Sequence, residues 1–578
     1  MLSYGRVGFR AGFAVLVLLA VALPTASAQQ LVYKLPPSTT AELDKLLEQG
    51  KQLEGQRRWG EALTLYEEAA RKNPGQIVLE ERLEMSRINY DLARRYADTS
   101  FRNSLLKLTE AEALELYNQV LTRIAAHSVN TPDYRALLQR GGSDLNVALG
   151  DATFVDAHLR GRSAAQIRQF RNDALKIGQQ NVRDRSDAKV ILQQIARTGQ
   201  QQLGISPTAV ILEYVAGAVG ALDEYSNFLT GGQLHDLYSQ IDGNFVGLGV
   251  ELKTTNNQLK IVSVISNSPA ERGGIRANDM ILEVDGQLTS KLTADKAADL
   301  LQGLEGSTVQ LTLQAPNAAP RKISLRREQV EVPSVDNAKI LDSTAGLAYF
   351  KLSAFQKTTA TDIDRAMWNL HRQGMKSLII DLRGNPGGLL TASVEAADRF
   401  LESGTIVSTR GRNPQEDFTY SAQSAGTWKL PLVVLIDGDS ASASEIFAGA
   451  MRDHRRATII GMRSYGKGSV QGIFPLNIAG TGIRLTTAKF YSPLGKAYSK
   501  VGVEPTIEVR QAAKPILADN MVTNPAAGPA LTLEPTAAAP VLAQVGEPEK
   551  KADSDDPVIA AAMQALRRHV ATTGNASR

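Results

Sequence analysis

The spacing of apolar residues changes twice along the chain and divides it into three regions. Up to about residue 242, apolar positions such as Leu114, Tyr117 and Leu121 recur every three or four residues, the period of amphipathic helices. From residue 243, short apolar runs alternate with glycine turns, which is typical of short strands. Over about 335–510, near-continuous apolar strands alternate with helical segments, as in a sheet covered on both faces. The pattern predicts a multidomain protein with helical, β and α/β parts.

The length of the chain also predicts several folded units. At 578 residues it is too long for a single hydrophobic core, so three or four units are expected. Residues 511–553 are rich in Ala, Pro and Thr and are interpreted as a linker. Residues 556–570 are predicted to form a short closing helix with Pro557 as its first residue.

The first 28 residues have the layout of a secretory signal peptide. Arg6 and Arg10 precede an apolar run over 11–23, and Ala26-Ser27-Ala28 supplies a small-residue cleavage site. The alternative, a membrane anchor, requires about 20 apolar residues. We therefore expect export and cleavage after Ala28.

Composition excludes several classes of function. The chain has 64 Lys and Arg against 60 Asp and Glu, and this near balance gives no reason to expect nucleic acid binding. It has no cysteine, so lipoprotein anchoring, disulfides, thiol catalysis and cysteine-ligated zinc are all excluded.

The N-terminal helical region carries a repeat-like pattern. Its small, bulky and helix-stopping positions are Gly50, Trp59, Ala62, Tyr66, Ala69 and Pro74. They resemble a tetratricopeptide unit, the alternative being an ordinary helical hairpin. We assign 41–128 to a tetratricopeptide-like region that offers a concave surface to a protein partner or substrate. A further helical region over 129–242 includes a stretch that begins at Pro207 and ends in the segment Leu222–Phe228.

Residues 243–327 resemble a PDZ domain in the order of their strands, with a helix predicted over 294–303. The resemblance implies that the domain binds the C-termini of protein chains. In such domains a glycine-rich loop holds the terminal carboxylate while the peptide adds a strand to the sheet. The residues at the loop position are Gly247, Leu248, Gly249 and Val250.

Three polar segments follow three predicted strands of the α/β region. Asp381–Gly388 leaves the apolar run 377–382, and Ser440–Glu445 and Tyr465–Gln471 follow apolar runs that end near residues 436 and 462. Open α/β sheets place their sites at the carboxyl ends of strands. Taken singly, the glycines could form turns, the serines could cap a helix and the lysine could be a solvated charge. Neither a phosphate-binding loop nor a histidine-based catalytic motif is present.

Together these segments resemble the core of the carboxyl-terminal processing peptidases, over about 205–510. The resemblance implies a serine nucleophile at Ser442, a lysine general base at Lys467, and a Gln471 that orients the lysine from one helical turn further on. The backbone N–H groups of Ala443 and Gly388, with Gly387 as a further donor, are implied as the oxyanion hole. The implied location is the periplasm or cell envelope of a bacterium, and the implied substrates are unfolded or C-terminally tagged proteins. No metal or cofactor is implied.

Elementary chemistry agrees with these roles. A serine hydroxyl needs a base to take its proton, and burial favours the neutral lysine that can do so. A serine at the N-terminus of a helix places N–H groups near the developing oxyanion. Asp453 is a weaker candidate, because eleven helical residues would separate it from Ser442 by roughly 16 Å. A structural ion pair or a contact with the Lys467 loop is favoured over a catalytic triad.

The fold class expected is therefore an N-terminal all-α helical-repeat region, a PDZ domain and an α/β serine-peptidase core with a Ser–Lys dyad. The competing hypothesis is a binding scaffold with an inert core, because fold alone does not establish activity. The sequence leaves open whether the PDZ domain activates or inhibits, and whether the protein forms homo-oligomers.

Overall fold

A computed structural model describes residues 40–255, 258–291, 300–423, 426–510 and 556–575. The predicted signal peptide at 1–28 and the predicted linker at 511–553 lie outside the described residues, as does most of the helix expected at 294–303.

The N-terminal region is helical, as the period of its apolar residues predicts. In chain order its helices are α1 (Thr40–Gly55), α2 (Trp59–Lys72), α3 (Ile77–Ala97), α4 (Thr99–Asn103), α5 (Glu110–His127), α6 (Tyr134–Ala148), α7 (Ala152–His158), α8 (Ala164–Gly178), α9 (Arg185–Leu203) and α10 (Pro207–Gly220). Helix α10 begins at a proline, is apolar on nearly every side, and packs against α5, α6 and α9. It is the central helix of this region.

Helices α1 and α2 form a hairpin in which a small residue lies under a bulky one. A Cβ atom built on Gly50 would be 2.2 Å from the ring of Tyr66, so only glycine fits there. Ala62 and Ala69 are buried beside this contact. The contact between the small Gly50 and the bulky Tyr66 is of the kind that the repeat pattern requires. Membership of the tetratricopeptide family stays a prediction.

A small β domain follows the helical region. Its elements and those that lead into it are β1 (Asn227–Leu229), α11 (Gly231–Asp242), β2 (Asn244–Gly247), β3 (Val250–Thr255), β4 (Gln258–Val264), α12 (Pro269–Arg272), β5 (Met280–Val284), β6 (Gln287–Leu288), β7 (Thr308–Gln314), β8 (Arg321–Arg326) and β9 (Glu328–Glu331). The antiparallel strands run in the order β3-β4-β5-β7-β8 around a core of their own, and β2 pairs with β9. Strand β3 therefore lies at an edge of the described sheet.

The α/β core comes last. Its elements are β10 (Val335–Asp342), β11 (Leu347–Leu352), α13 (Thr359–Arg372), β12 (Ser377–Asp381), α14 (Leu390–Asp398), β13 (Thr405–Gly411), β14 (Phe418–Ser421), β15 (Leu432–Ile436), α15 (Ala443–Asp453), β16 (Thr458–Gly461), β17 (Ser469–Pro475), β18 (Gly482–Tyr491), β19 (Ile507–Glu508) and α16 (Pro557–Asn575). The main sheet has the order β10-β11-β12-β15-β16-β19 and is parallel except for β10.

Both faces of the main sheet are covered, which explains its near-continuous apolar strands. One face, including Leu378 and Ile380, packs against α13, α14 and α15. The other, including Ile379, packs against Val558 and Ile559 of the closing helix α16. The N-terminus of α16 is attached by Asp556, which accepts a hydrogen bond of 2.8 Å from Arg383.

A second, antiparallel sheet was not predicted from the sequence. Its order is β1-β18-β13-β14, with β17 also paired to β18. Ile483 and Leu485 of β18 share a core with the helical region, whereas the main sheet and the helices that pack on it have a core of their own. Strand β17 also corrects one expectation: Gln471 lies in a strand and not one helical turn beyond Lys467.

Candidate active site

The three polar segments meet at one end of the main sheet, as predicted. Strands β12, β15 and β16 are parallel neighbours, and each segment leaves the carboxyl end of one of them. The carbonyl oxygen of Asn385 accepts hydrogen bonds from the Ala441 N–H (3.1 Å) and the Ser444 hydroxyl (2.9 Å). The Tyr465 N–H donates to the Ser440 carbonyl oxygen at 3.0 Å. These bonds join the three loops into one site.

Ser442 immediately precedes the first turn of α15. Its φ of +55° is rare for a residue with a side chain, and such strain is held only where the surroundings impose it. The helix N-terminus behind it carries a partial positive charge. The side chain is partly exposed, so Ser442 is accessible at the surface of the site.

A buried carboxylate connects Ser442 to the lysine loop. Glu445 is fully buried and its two oxygens accept four hydrogen bonds. The donors are the N–H groups of Ser442 (2.8 Å), Lys467 (2.9 Å) and Gly466 (2.6 Å) and the hydroxyl of Ser464 (2.7 Å). Burial raises the pKa of Glu445, while these bonds act in the opposite direction. Sequence reasoning assigned Glu445 no role, although a glutamate three residues after a helix-initiating serine is a recognised capping signal.

Lys467 is buried beside Ser442's helix. Only 4% of Lys467 is exposed, and its Nζ atom lies 4.6 Å from the centroid of the Tyr225 ring. The flanking glycines allow a close approach of the backbone: Gly466 has a φ of +93°, and a Cβ atom on Gly468 would lie 2.1 Å from the Ser499 nitrogen. The loop thus holds the amine in a buried position beside the Tyr225 ring.

The Gly387–Gly388 turn lies directly against the serine. A Cβ atom on Gly387 would be 2.8 Å from Cβ of Ser442 and 2.9 Å from the Ala443 nitrogen. Among the described residues, the N–H groups of Gly388 and Ala443 have no hydrogen-bond acceptor. The Gly387 N–H already donates to Oδ1 of Asn385 at 2.9 Å. Of the three expected oxyanion donors, Gly388 and Ala443 are therefore the two that are available.

Gln471 and Asp453 have other contacts. The Gln471 side-chain amide donates to Oγ of Ser469 at 2.9 Å, and its predicted role toward Lys467 stays a prediction. Asp453 lies at the opposite end of α15 from Ser442, where it pairs with Arg452 at 2.9 Å and accepts from the Leu494 N–H at 3.4 Å. The length of α15 keeps Asp453 away from Ser442, and the observed contact is a structural ion pair.

The expected carboxylate-binding loop of the β domain leads into its edge strand. Gly249 has a φ of +81°, and a Cβ atom there would be 2.3 Å from Cβ of Ser268, so the tight turn requires glycine. The N–H groups of Leu248 and Gly249 have no acceptor within the described part of the chain. Gly247 ends β2 and Val250 begins the edge strand β3.

Two family models match the chain. Residues 346–509 match peptidase family S41, and residues 260–315 match a PDZ domain. A carboxy-terminal-processing protease of Bartonella bacilliformis is 38% identical over 303 residues, which is 51% of this chain and 69% of that protein. A carboxyl-terminal-processing protease of Synechocystis is 38% identical over 285 residues, 49% of this chain and 65% of that protein.

Among solved structures, the photosystem II D1 C-terminal processing protease is 25% identical and matches with a TM-score of 0.36. The match covers 69% of this chain and 93% of that one. With the sequence matches, the PDZ strand order and the three joined loops in view, the chain belongs to the carboxyl-terminal-processing proteases, serine peptidases with a PDZ domain.

Proposed function

We propose that this protein is an exported endopeptidase that binds the C-terminal tails of proteins and cleaves them through a Ser442–Lys467 dyad. The observation that carries the proposal is the pair of hydrogen bonds from the Ser442 and Lys467 N–H groups to one oxygen of Glu445. A single buried atom fixes the backbone of both residues, which is the preorganisation that a nucleophile and its base require.

The lysine acts in its neutral form. Removal of an amine from water disfavours its charged state, and the Lys467 side chain is almost fully buried. The amine takes the proton of the Ser442 hydroxyl as Oγ attacks the carbonyl carbon of the scissile peptide. The N–H groups of Ala443 and Gly388 donate to the resulting oxyanion.

The remaining steps return the enzyme to its starting state. The Lys467 ammonium gives its proton to the leaving nitrogen, the C–N bond breaks, and an acyl ester on Ser442 remains. Water then attacks the ester, with the lysine again accepting the proton. The acyl C–O bond breaks, Lys467 returns that proton to Oγ of Ser442, and the second product leaves as a carboxylic acid. Every proton that Lys467 takes up is released within the cycle.

The PDZ domain supplies the recognition of substrate. An unfolded tail lies along the edge strand β3 as an added strand, with its carboxylate held by the N–H groups of Leu248 and Gly249. The N-terminal helices, with the concave surface expected of stacked repeats, bind a protein partner or selected substrates. Substrates are therefore unfolded or C-terminally tagged proteins.

Location follows from the predicted signal peptide. We place the mature protein in the periplasm or cell envelope of a bacterium, with the membrane only as a place where substrates reside. Within the described residues, no helix has the length and apolar character needed to cross a membrane. Sequencing the N-terminus of the purified protein tests this placement, since cleavage after Ala28 exposes Gln29.

The direct test of the activity compares purified wild-type protein with Ser442→Ala on an unstructured peptide. We expect new peptide termini, detected by mass spectrometry, with the wild type only. Equal products from both proteins would point to a contaminating protease. No products from either would favour the inert scaffold.

A further inference from the structure

The segment Leu222–Phe228, which the proposed reaction does not use, runs beside the catalytic lysine. It joins α10 to β1, and its backbone is attached to β18. The Tyr225 carbonyl oxygen accepts a hydrogen bond from Nε of Arg484 at 3.0 Å, and the Ser226 hydroxyl accepts one from the Thr486 N–H at 3.2 Å. The position of Tyr225 is therefore fixed by the sheet that carries Gln471.

The ring of Tyr225 faces the amine of Lys467. The separation of 4.6 Å between Nζ and the ring centroid is within the range of a cation–π interaction. The electron-rich face of the ring attracts an ammonium group and has little attraction for a neutral amine. The contact therefore distinguishes the two protonation states of the lysine.

A chain of contacts connects the Tyr225 ring to helix α2 through Tyr465 and Arg71. The Tyr225 phenol is hydrogen-bonded to Glu224 and to the Tyr465 phenol, and the pKa of Tyr225 is raised by burial first and by these two neighbours in addition. The guanidinium of Arg71, from the last turn of α2, lies 4.8 Å from the centroid of the Tyr465 ring. The α1–α2 hairpin thus reaches the lysine loop through one aromatic side chain.

We propose that Tyr225 is a positioning residue for Lys467 and that the α1–α2 hairpin holds it in place through Arg71 and Tyr465. The inference rests on the proposed role of Lys467 as the base. Before the attack the lysine is neutral, and it becomes an ammonium as it takes the proton of Ser442. The ring stabilises that ammonium, so the contact is stronger in the transition state than in the ground state and accelerates the chemical step.

The test compares Tyr225→Leu, which removes the ring, with Tyr225→Phe, which keeps it. Loss of a desolvated cation–π contact should lower kcat of the Leu variant by about tenfold or more, with KM little changed. Without the ring the ammonium is less stable, so the acid limb of the kcat/KM profile should shift to lower pH. The other groups that face the lysine loop are Glu445, Glu224, Tyr465 and Arg71; they are kept in both variants, and both variants equally remove the hydrogen bonds of the Tyr225 phenol to Glu224 and Tyr465. The Phe variant keeps the ring but loses the hydrogen bond to Tyr465, so it should lose no more kcat than Arg71→Ala and should match the wild type in the acid limb.

A merely structural role for Tyr225 would lower activity and leave the acid limb in place. That result, or a Phe variant as impaired as the Leu variant, would overturn the inference. If Tyr225→Leu does not fold, as judged by circular dichroism, Tyr225→Met replaces it with a flexible apolar side chain of similar length. Failure of the proposed function looks different, because Lys467→Arg would then retain substantial turnover.

The contribution of the hairpin has its own matched pair of variants. Arg71→Ala should lower kcat several-fold, because Tyr465 loses the group that packs on it. Lys72→Ala removes the same charge from the next residue of α2, which is exposed, and should leave kcat unchanged. Equal kcat values for the two variants would show that the hairpin does not support the site.

Discussion

At the scale of single residues, the site depends on a few backbone conformations that side chains hold in place. Ser442 adopts a positive φ. Glu445 links this residue to the lysine loop by accepting hydrogen bonds from the N–H groups of Ser442 and Lys467. A buried carboxylate with four donors is well compensated, but any substitution that removes acceptors leaves N–H groups unsatisfied. Glu445 is therefore expected to be as sensitive as the dyad itself.

The first prediction concerns this carboxylate. Glu445→Gln places an NH2 group against N–H donors, and each conflict costs about 1–3 kcal/mol of the free energy of unfolding. We expect a lower urea midpoint together with a loss of kcat. Glu504→Gln, at an exposed carboxylate paired with Arg463, is the matched control and should change neither quantity. A Glu445→Gln enzyme with the stability and kcat of the wild type would contradict the assigned role.

A second prediction concerns a buried ion pair in the helical region. Arg95 and Glu213 are both buried and lie 2.6 Å apart. Glu213→Ala leaves a buried arginine without its partner, which costs about 3–5 kcal/mol. Asp187→Ala removes the partner of Arg183 in an exposed pair, where water screens the charges, and should change stability far less. Urea denaturation of the two variants makes the comparison, and equal midpoints would contradict the distinction.

At the scale of elements, the hairpin depends on one small residue. Gly50 and Gly55 both lie in α1, but a Cβ atom is blocked by Tyr66 at Gly50 and meets nothing within 4 Å at Gly55. Gly50→Ala should therefore destabilise the hairpin by about 1–3 kcal/mol, whereas Gly55→Ala should not. Hydrogen exchange of the amides in 40–72 is the measurement. Equal protection in both variants would show that the Gly50–Tyr66 contact is unimportant.

The elements also show how far sequence reasoning reaches. Strands β12, β15 and β16 were predictable because they are buried on both faces and consist of apolar runs. Strand β18 was not, because its buried positions include Arg484, Thr486 and Thr487. The hydrogen-bond donors of Arg484 and Thr486 find their acceptors in Tyr225 and Ser226, and Asn227 pairs with Arg484 across the strands. These partners are far away in sequence. Local periodicity contains no information about such partners.

The same limit applies to the site. Ser442, Lys467 and the Gly-Gly turn stand in segments whose composition is unusual, and a family resemblance assigns them roles. Glu445 carried a local signal in the capping pattern that was not used. Tyr225 carried none, because its relation to Lys467 exists only after β1 pairs with β18 and brings the segment Leu222–Phe228 beside the lysine loop.

At the scale of the whole molecule, the PDZ domain and the catalytic core are predicted to act on one substrate. An unfolded peptide with a free C-terminus should be cleaved faster than the same peptide with an amidated C-terminus. Amidation removes the charge that the Gly247–Val250 loop is expected to hold. The comparison is one of kcat/KM at equal concentrations. Equal rates for acid and amide would exclude recognition of the carboxylate.

The helical region shares a hydrophobic core with strand β18 of the antiparallel sheet. Buried residues of α5 and α10 pack in one cluster with Ile483 and Leu485 of β18. Removal of residues 41–200 would therefore expose a large apolar surface. Point variants such as Arg71→Ala therefore examine the influence of this region better than truncation does.

The central claim is that Lys467 is a neutral base, and Lys467→Arg tests it most directly. Arginine keeps the positive charge and much of the length, but it does not give up its proton in a protein. We predict that Lys467→Arg abolishes turnover of an unstructured peptide as completely as Ser442→Ala, in an enzyme with the circular dichroism of the wild type. Lys496→Arg, at an exposed position of the same domain, should retain full turnover. Substantial turnover by the Lys467→Arg enzyme would contradict the account, because another group would then have to take the serine proton.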